Sequence, residues 1–194
     1  MDELYFKYKN EYKPQKGCLL ISEPHLPDSN FERSVIILCE HNDKGSLGFV
    51  LNQPAKFVLN DIMPDSTNIQ MPIRVGGPVE YNTLHFLHRN NSDLDKCTLI
   101  SDTINWGGNY ELAIERLANG KATKNDFIFF VGYSGWSAGQ LEEEIGRNSW
   151  IVFPDANEQL VFNTSLNKLW KEVLYEMGGR YSVFANYPSD PRLN

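Results

Sequence analysis

Residues 34–40, SVIILCE, and residues 46–52, SLGFVLN, are two runs rich in β-branched residues, and between them lie His41, Asn42, Asp43, Lys44 and Gly45. Turn formers between two such runs, with a glycine able to adopt positive φ, predict an antiparallel hairpin. With the turn centred near Asp43 and Lys44, Glu40 and His41 sit at its tip and Asn52 at the far end. At about 3.3 Å per residue the two ends are roughly 20 Å apart, too far to share one catalytic centre along the hairpin.

Upstream, residues 18–22 form an apolar run of strand length, followed by a loop whose Pro24 and Pro27 exclude a central strand. Residues 1–16 are expected to form an arm carrying Tyr5, Phe6, Tyr8 and Tyr12. Downstream, residues 57–63 read as a short helix stopped by Pro64, and residues 72–75 as a strand running into Gly76, Gly77 and Pro78. Residues 83–89 and 96–101 read as two further strands. Asn109 is placed to cap a helix whose Tyr110, Ala113, Ile114 and Leu117 share one face, with Gly120 closing it. The continuous apolar run at residues 126–133 predicts a strand buried on both faces.

After that strand Gly132, Gly135 and Gly139 suggest a loop. Ser137 with Gln140 three residues later has the capping-box spacing of a helix running to Arg147. Residues 150–153 read as a strand. Leu166, Leu169, Trp170, Val173, Leu174 and Met177 repeat with helical period and stop at Gly178 and Gly179. Pro188 and Pro191 favour an extended tail over residues 180–194. Hairpin neighbours mixed with helix-linked strands give one α+β domain over residues 17–179.

The chain has 194 residues with 18 Lys+Arg against 25 Asp+Glu, a net charge of −7, and its 11 Phe, 9 Tyr and 4 Trp suffice for a full core. The negative charge disfavours direct duplex binding and attraction to anionic membranes. Cys18, Cys39 and Cys97 lack metal or disulfide spacing and are expected to be reduced thiols. No secretory leader pattern and no long apolar span is present, so a cytoplasmic location away from membranes is expected.

Several motifs invite a chemical reading. Residues 135–139, GWSAG, spell a nucleophile elbow around Ser137, but His25, His41, His85 and His88 all precede the serine, the reverse of the order this motif needs. Ser137 also has an ordinary role as a helix cap. His85 and His88 point to opposite faces if their segment is a strand, which prevents them from closing on one metal ion. Glycine-rich turns beside Trp106 and Trp136 can frame a small-ligand site, although glycines more often serve tight turns. These residues require neither a cofactor nor a metal.

The same motifs, in one order, carry a family resemblance. They are Leu20 to Pro24 with Asp28, Phe31, Arg33, Ser34 and Val35; Cys39, Glu40 and His41; residues 48–54; Gly76, Gly77, Pro78 and Val79; Leu87 and His88; and residues 132–142, GYSGWSAGQLE. In these the chain resembles the YqgE/AlgH family of bacterial proteins across residues 17–178. The resemblance implies an α+β domain with bifurcated, coiled, mostly antiparallel β-sheets and packed helices. It also implies a label of transcriptional regulator that no recognisable DNA-binding element supports. Residues carried over by position are Glu40, His41, Asn52, Gly76, Gly77, Pro78, His88, Gly132, Gly135, Trp136, Gly139, Gln140 and Glu144. The leading expectation is a non-enzymatic binding or regulatory protein acting on a partner protein or small ligand. The competing one is a hydrolase or transferase built on Glu40, His41 and His88, and it requires those side chains to converge.

Overall fold

A computed structural model of the chain describes residues 10–63, 70–90 and 94–188. Its strands are β1 (Leu19–Ser22), β2 (Val35–Asn42), β3 (Gly45–Val50), β4 (Pro54–Val58), β5 (Pro72–Val75), β6 (Val79–Arg89), β7 (Thr98–Ser101), β8 (Ile104–Trp106), β9 (Phe127–Ser137) and β10 (Trp150–Phe153). Its helices are α1 (Leu59–Ile62), α2 (Tyr110–Ala118), α3 (Gln140–Gly146), α4 (Leu166–Met177) and α5 (Gly179–Phe184). The main sheet runs β10-β1-β2-β3-β9-β6-β8-β7, with β5 also on β9 and β4 on β5. Every pairing is antiparallel except β5 with β9.

The expected hairpin is β2 and β3, closed more tightly than the residue types alone suggest, with Asn42 opposite Gly45. Alternation then sorts the side chains. Leu19, Ile21, Val35, Ile37, Phe49 and Phe130 face one side, where Leu169, Trp170, Val173 and Leu174 of α4 and Tyr181 and Phe184 of α5 cover them. On the other side Leu20, Ile36, Leu38 and Val50 lie under Leu141 of α3, while Ile73, Phe86, Phe127 and Phe129 lie under Ala113, Ile114 and Leu117 of α2. Each large apolar side chain buried this way contributes about 1.5–3 kcal/mol.

Strand β9 organises the whole sheet. Along one edge it pairs with β6 from Phe127 to Tyr133. Its other edge is shared between β5, parallel at residues 129–131, and β3, antiparallel at residues 134–137. Where β5 wedges in, the Val50 N–H leaves β9 and donates to the Gly76 carbonyl at 2.9 Å, and the buried Ser134 hydroxyl donates to the same oxygen at 3.0 Å. The sheet divides there, and glycines make the crossing possible. A Cβ on Gly77 would lie 2.3–2.4 Å from the Tyr133 carbonyl carbon and from Ser134 N and Oγ. Gly132 adopts φ +65° with the Gly77 and Val79 carbonyl oxygens 2.8 Å from where its Cβ would be.

Four expectations need correction. Gly132 and Gly135 belong to β9, which runs on to Ser137 instead of opening into a loop; Gly132 serves close backbone contact, and Gly135 leaves room for the Tyr133 ring. Strand β8 falls where only a turn was expected at Trp106, because three residues with a buried Asn105 carry too little alternation to be recognised. Residues 54–58 form β4 before the short helix α1, whose proposed stop at Pro64 lies outside the described residues. Residues 179–184 form α5 instead of an extended tail, since Tyr181 and Phe184 fall three apart and bury together, while residues 189–194 lie outside the described residues. The arm is described only from Asn10, whose carboxamide donates to the Trp150 carbonyl at 2.9 Å and accepts from the Val152 N–H at 2.8 Å along the outer edge of β10. Among the described residues no helix is long and apolar enough to cross a membrane.

Replacing Gly77 by alanine forces backbone apart at the crossing and is expected to cost about 3 kcal/mol or more, read as a lowered urea midpoint. A control alanine at Gly120, where nothing lies within 4 Å, should cost less, limited to the strain of its φ of +73°.

Candidate functional site

At Cys39 the β2–β3 ladder carries a bulge, with Leu38 opposite Gly48 but Glu40 opposite Leu47. The extra residue sets which way the next two side chains project. Glu40, Leu47 and Gly135 share one row of the sheet, whereas His41, Ser46 and Trp136 share the next, on the opposite face. Glu40 and His41 are therefore separated by the sheet itself. His41 Nδ1 lies 2.8 Å from the Ser46 hydroxyl and its Nε2 3.5 Å from Glu142 on α3.

Glu40 lines a cleft of about 490 Å³ with Lys44, Leu47, Val79, Tyr133 and Trp136. Around the end of β9 a second cleft of about 380 Å³ is bounded by Asp28, Phe31, Pro78, Trp136, Glu144 and Trp150, with Gln140 at its rim. Gly135 and Trp136 line both. The second cleft is braced by one carboxylate. Glu144 Oε2 accepts from the indole N–H of Trp136 and from that of Trp150, each at 2.8 Å, and Oε1 accepts from the Gln140 amide at 3.0 Å. Gln140 Oε1 in turn accepts from the Ser137 N–H at 3.0 Å and its hydroxyl at 3.1 Å. Of the expected capping box only the glutamine half is present, and Gly139, at φ +76°, is the N-cap residue of α3. The two indoles meet edge-on at 6.0 Å, and Phe31 meets Trp150 edge-on at 5.4 Å.

The remaining expected residues lie elsewhere. Asn52 closes the far end of the hairpin, its Oδ1 accepting from the Val35 N–H at 2.9 Å and its amide donating to the Arg33 carbonyl at 2.8 Å. Gly76 and Gly77 build the backbone crossing. His88 is buried opposite Phe127 at the start of β9, nine residues from the Trp136 row, which is roughly 30 Å of strand. Glu40, His41 and His88 thus occupy three separate places, and neither of the two clefts above holds more than one of them. Ser137 lies on a paired strand with its hydroxyl directed to Gln140, which is no nucleophile elbow. His85 packs 5.1 Å from the Phe49 ring while His88 packs 5.9 Å from Phe86 and Phe127, so the two imidazoles face opposite sides.

Sequence reasoning missed Trp150, Phe31, Tyr133 and Lys44 as cleft residues. A detectable signal existed for one of them: a buried indole needs an acceptor, and Glu144 stands between Trp136 and Trp150 in the chain. Burial raises the Cys18 thiol to about 11 and holds Cys39 well above the ordinary thiol range, so neither is a nucleophile at neutral pH.

Burial lowers both His85 and His88 below the usual imidazole value of 6.5. The unfolded chain then binds more protons just below that value, so stability is complete above about pH 6.5 and falls as the pH drops toward the folded values. Thermal melts between pH 7.5 and 5 should show this loss, and His88→Gln should flatten it. Glu144→Ala should cost about 2–4 kcal/mol by stranding two indole N–H groups and should shift the tryptophan emission, whereas Glu144→Gln, which keeps an acceptor, should cost less.

Comparison with known proteins agrees with this architecture. A family model described as AlgH-like matches residues 19–182. A UPF0301 protein of Cytophaga hutchinsonii is 42% identical over 180 residues, covering 92% of this chain and 98% of its own, and one from Chlorobium phaeobacteroides is 40% identical over 186 residues, covering 95% and 99%. The crystal structure of a Corynebacterium diphtheriae protein superposes with a TM-score of 0.78 at 20% identity, covering 96% of this chain and 98% of that one, a likeness of fold. The solution structure of the AlgH protein from Pseudomonas aeruginosa superposes at 0.71 with 26% identity, covering 92% and 98%. With a divided sheet, a family match over residues 19–182 and these relatives in agreement, the chain belongs to the AlgH-like family.

Proposed function

We propose that this chain is a binding protein that receives an extended segment of a partner protein along the free end of β9, and that any regulatory role is exercised through this contact without direct binding to DNA. One observation carries the reading: Gly135 and Trp136 line both clefts, so the two depressions meet across a single strand edge. Beyond the Val79–Tyr133 pair β6 departs, and among the described residues no strand pairs with residues 135–137 on that edge.

The hydrogen-bonding direction follows from the ladder. The Ser137 N–H points away from β3 and is taken by Gln140. In an antiparallel pair every second residue turns its backbone groups the same way, so exposed Gly135 also directs its N–H and C=O outward. An added strand would pair with Gly135 and send alternate side chains into the two clefts, one toward Leu47 and Tyr133 and the next toward Trp136 and Phe31. Main-chain bonds would supply affinity and the two clefts selectivity. Glu40 in one cleft and Asp28 in the other favour a segment with basic residues beside its apolar anchors.

A displayed library of extended seven- to nine-residue peptides supplies the ligand for the test. Gly135→Pro removes the outward N–H without touching the bonds to β3 and should weaken a selected peptide at least tenfold with the melting temperature little changed. Gly135→Ala, which keeps the N–H, should retain binding. Equal affinity for the proline variant, or a library yielding no binder tighter than about 1 mM, would reject the reading.

A further inference from the structure

Strand β5 is short and lies beside the start of β9, on the far side of the glycine crossing from the two clefts. Arg74 is opposite Phe130 in the ladder, so its side chain lies on the sheet face covered by α4. There it lines a cavity of about 290 Å³ with Met71, Lys124, Asn125, Phe127 and Phe162. Two of the lining residues are cations and, among the described residues, none is an acid.

Among the described residues no carboxylate forms an ion pair with Arg74. Its guanidinium has five N–H groups. Among the described residues one bond is made to protein, from Nη1 to the Leu51 carbonyl at 2.7 Å. Burial brings Arg74 down to about 10. Lys124 donates to the Gln70 carbonyl at 2.7 Å, another neutral acceptor. The nearby carboxylates are committed elsewhere. Asp126 accepts from the Thr123 N–H and hydroxyl at 2.7 and 2.8 Å and lies 3.7 Å from Arg89, while Glu158 pairs with Arg89 directly. Arg89 also stacks on Phe162, 4.6 Å above its ring, so a third cation closes the aromatic wall.

A half-buried guanidinium with no counter-ion among the described residues is costly unless an anion completes it. In a chain of net charge −7 such a pocket is also a local reversal of sign. We propose that this cavity binds a small hydrophobic carboxylate, its carboxylate held between Arg74 and Lys124 and its apolar body against Pro72, Ile128 and Phe162. The planar fork of arginine suits the two oxygens of a carboxylate. The apolar remainder of the lining excludes a bare, strongly hydrated phosphate, which would leave oxygens without donors. This site is independent of the strand-edge reading, since it stands beside the opposite half of β9.

The probe is 3-phenylpropanoate, followed by amide chemical-shift changes and by calorimetry, with 3-phenylpropanamide as its uncharged twin and inorganic phosphate as its non-apolar counterpart. The expected result is a dissociation constant of about 1 mM or tighter, with shifts concentrated at Lys124, Ile128 and Phe162. The amide should bind at least tenfold more weakly, and phosphate should fail to compete at equal concentration. Arg74→Met should abolish carboxylate binding while leaving the anion-free melting temperature unchanged or higher, because it exchanges a half-buried charge for an apolar chain of similar length. Lys124→Met, at a more exposed position, should weaken binding severalfold and provides the same information should Arg74→Met not fold. Equal binding of amide and acid, unaltered affinity in both variants, or shifts confined to other surfaces would overturn the proposal; competition by phosphate would overturn the choice of a hydrophobic anion.

Discussion

The contact between Gly76–Gly77 and the backbone at Gly132 and Ser134 is the constraint on which the rest of the structure depends. Two strands, β3 and β5, need the same edge of β9, and they fit only because the chain passes there without side chains. The Gly76 carbonyl accepts from the Val50 N–H and from the Ser134 hydroxyl, so the backbone N–H freed where β3 leaves β9 is satisfied at once. Had the crossing carried a Cβ, one of the two pairings would be lost. With it, a single strand supports a core on each face and ends in a segment that β6 no longer covers.

That uncovered end is stiffened by electrostatics instead of by a further strand. Glu144 collects two indole N–H groups from β9 and β10, and Gln140 links it to Ser137, so helix and sheet are joined by charge-assisted bonds. Rigid aromatic walls lower the entropy lost on binding. The bulge at Cys39 acts in the same direction, sending Glu40 to one cleft and His41 to a bond with Ser46 on the other face. The adjacent acid and imidazole that look like a catalytic pair in the chain are thereby kept apart.

Charge is distributed along β9 in a way that net charge conceals. At its free end the clefts present Glu40 with Lys44, and Asp28 with Glu144, while beside its first half Arg74 and Lys124 line a cavity with no carboxylate among the described residues. Arg89 separates the latter from the acids around it by engaging Asp126 and Glu158 itself. The two regions share a strand but lie on opposite sides of the glycine crossing, so each can be occupied without steric reference to the other.

Local patterns determined much of this molecule. The hairpin of β2 and β3, the Asn109 cap and the apolar stripes of α2 and α4 were legible because they rest on contacts a few residues apart, where periodicity and turn chemistry act directly. The family motifs likewise pointed to Trp136, Gln140, Glu144 and Pro78, which the fold gathers at one cleft. Only the tertiary structure decided that Gly132 and Gly135 lie within a strand, that Asn52 and Gly77 are architectural, and that His88 is remote from His41. Each of these depends on which strands share an edge. Such long-range pairings leave no period in the chain, because the partner that fixes a residue's role is dozens of positions away and meets it only when the sheet closes.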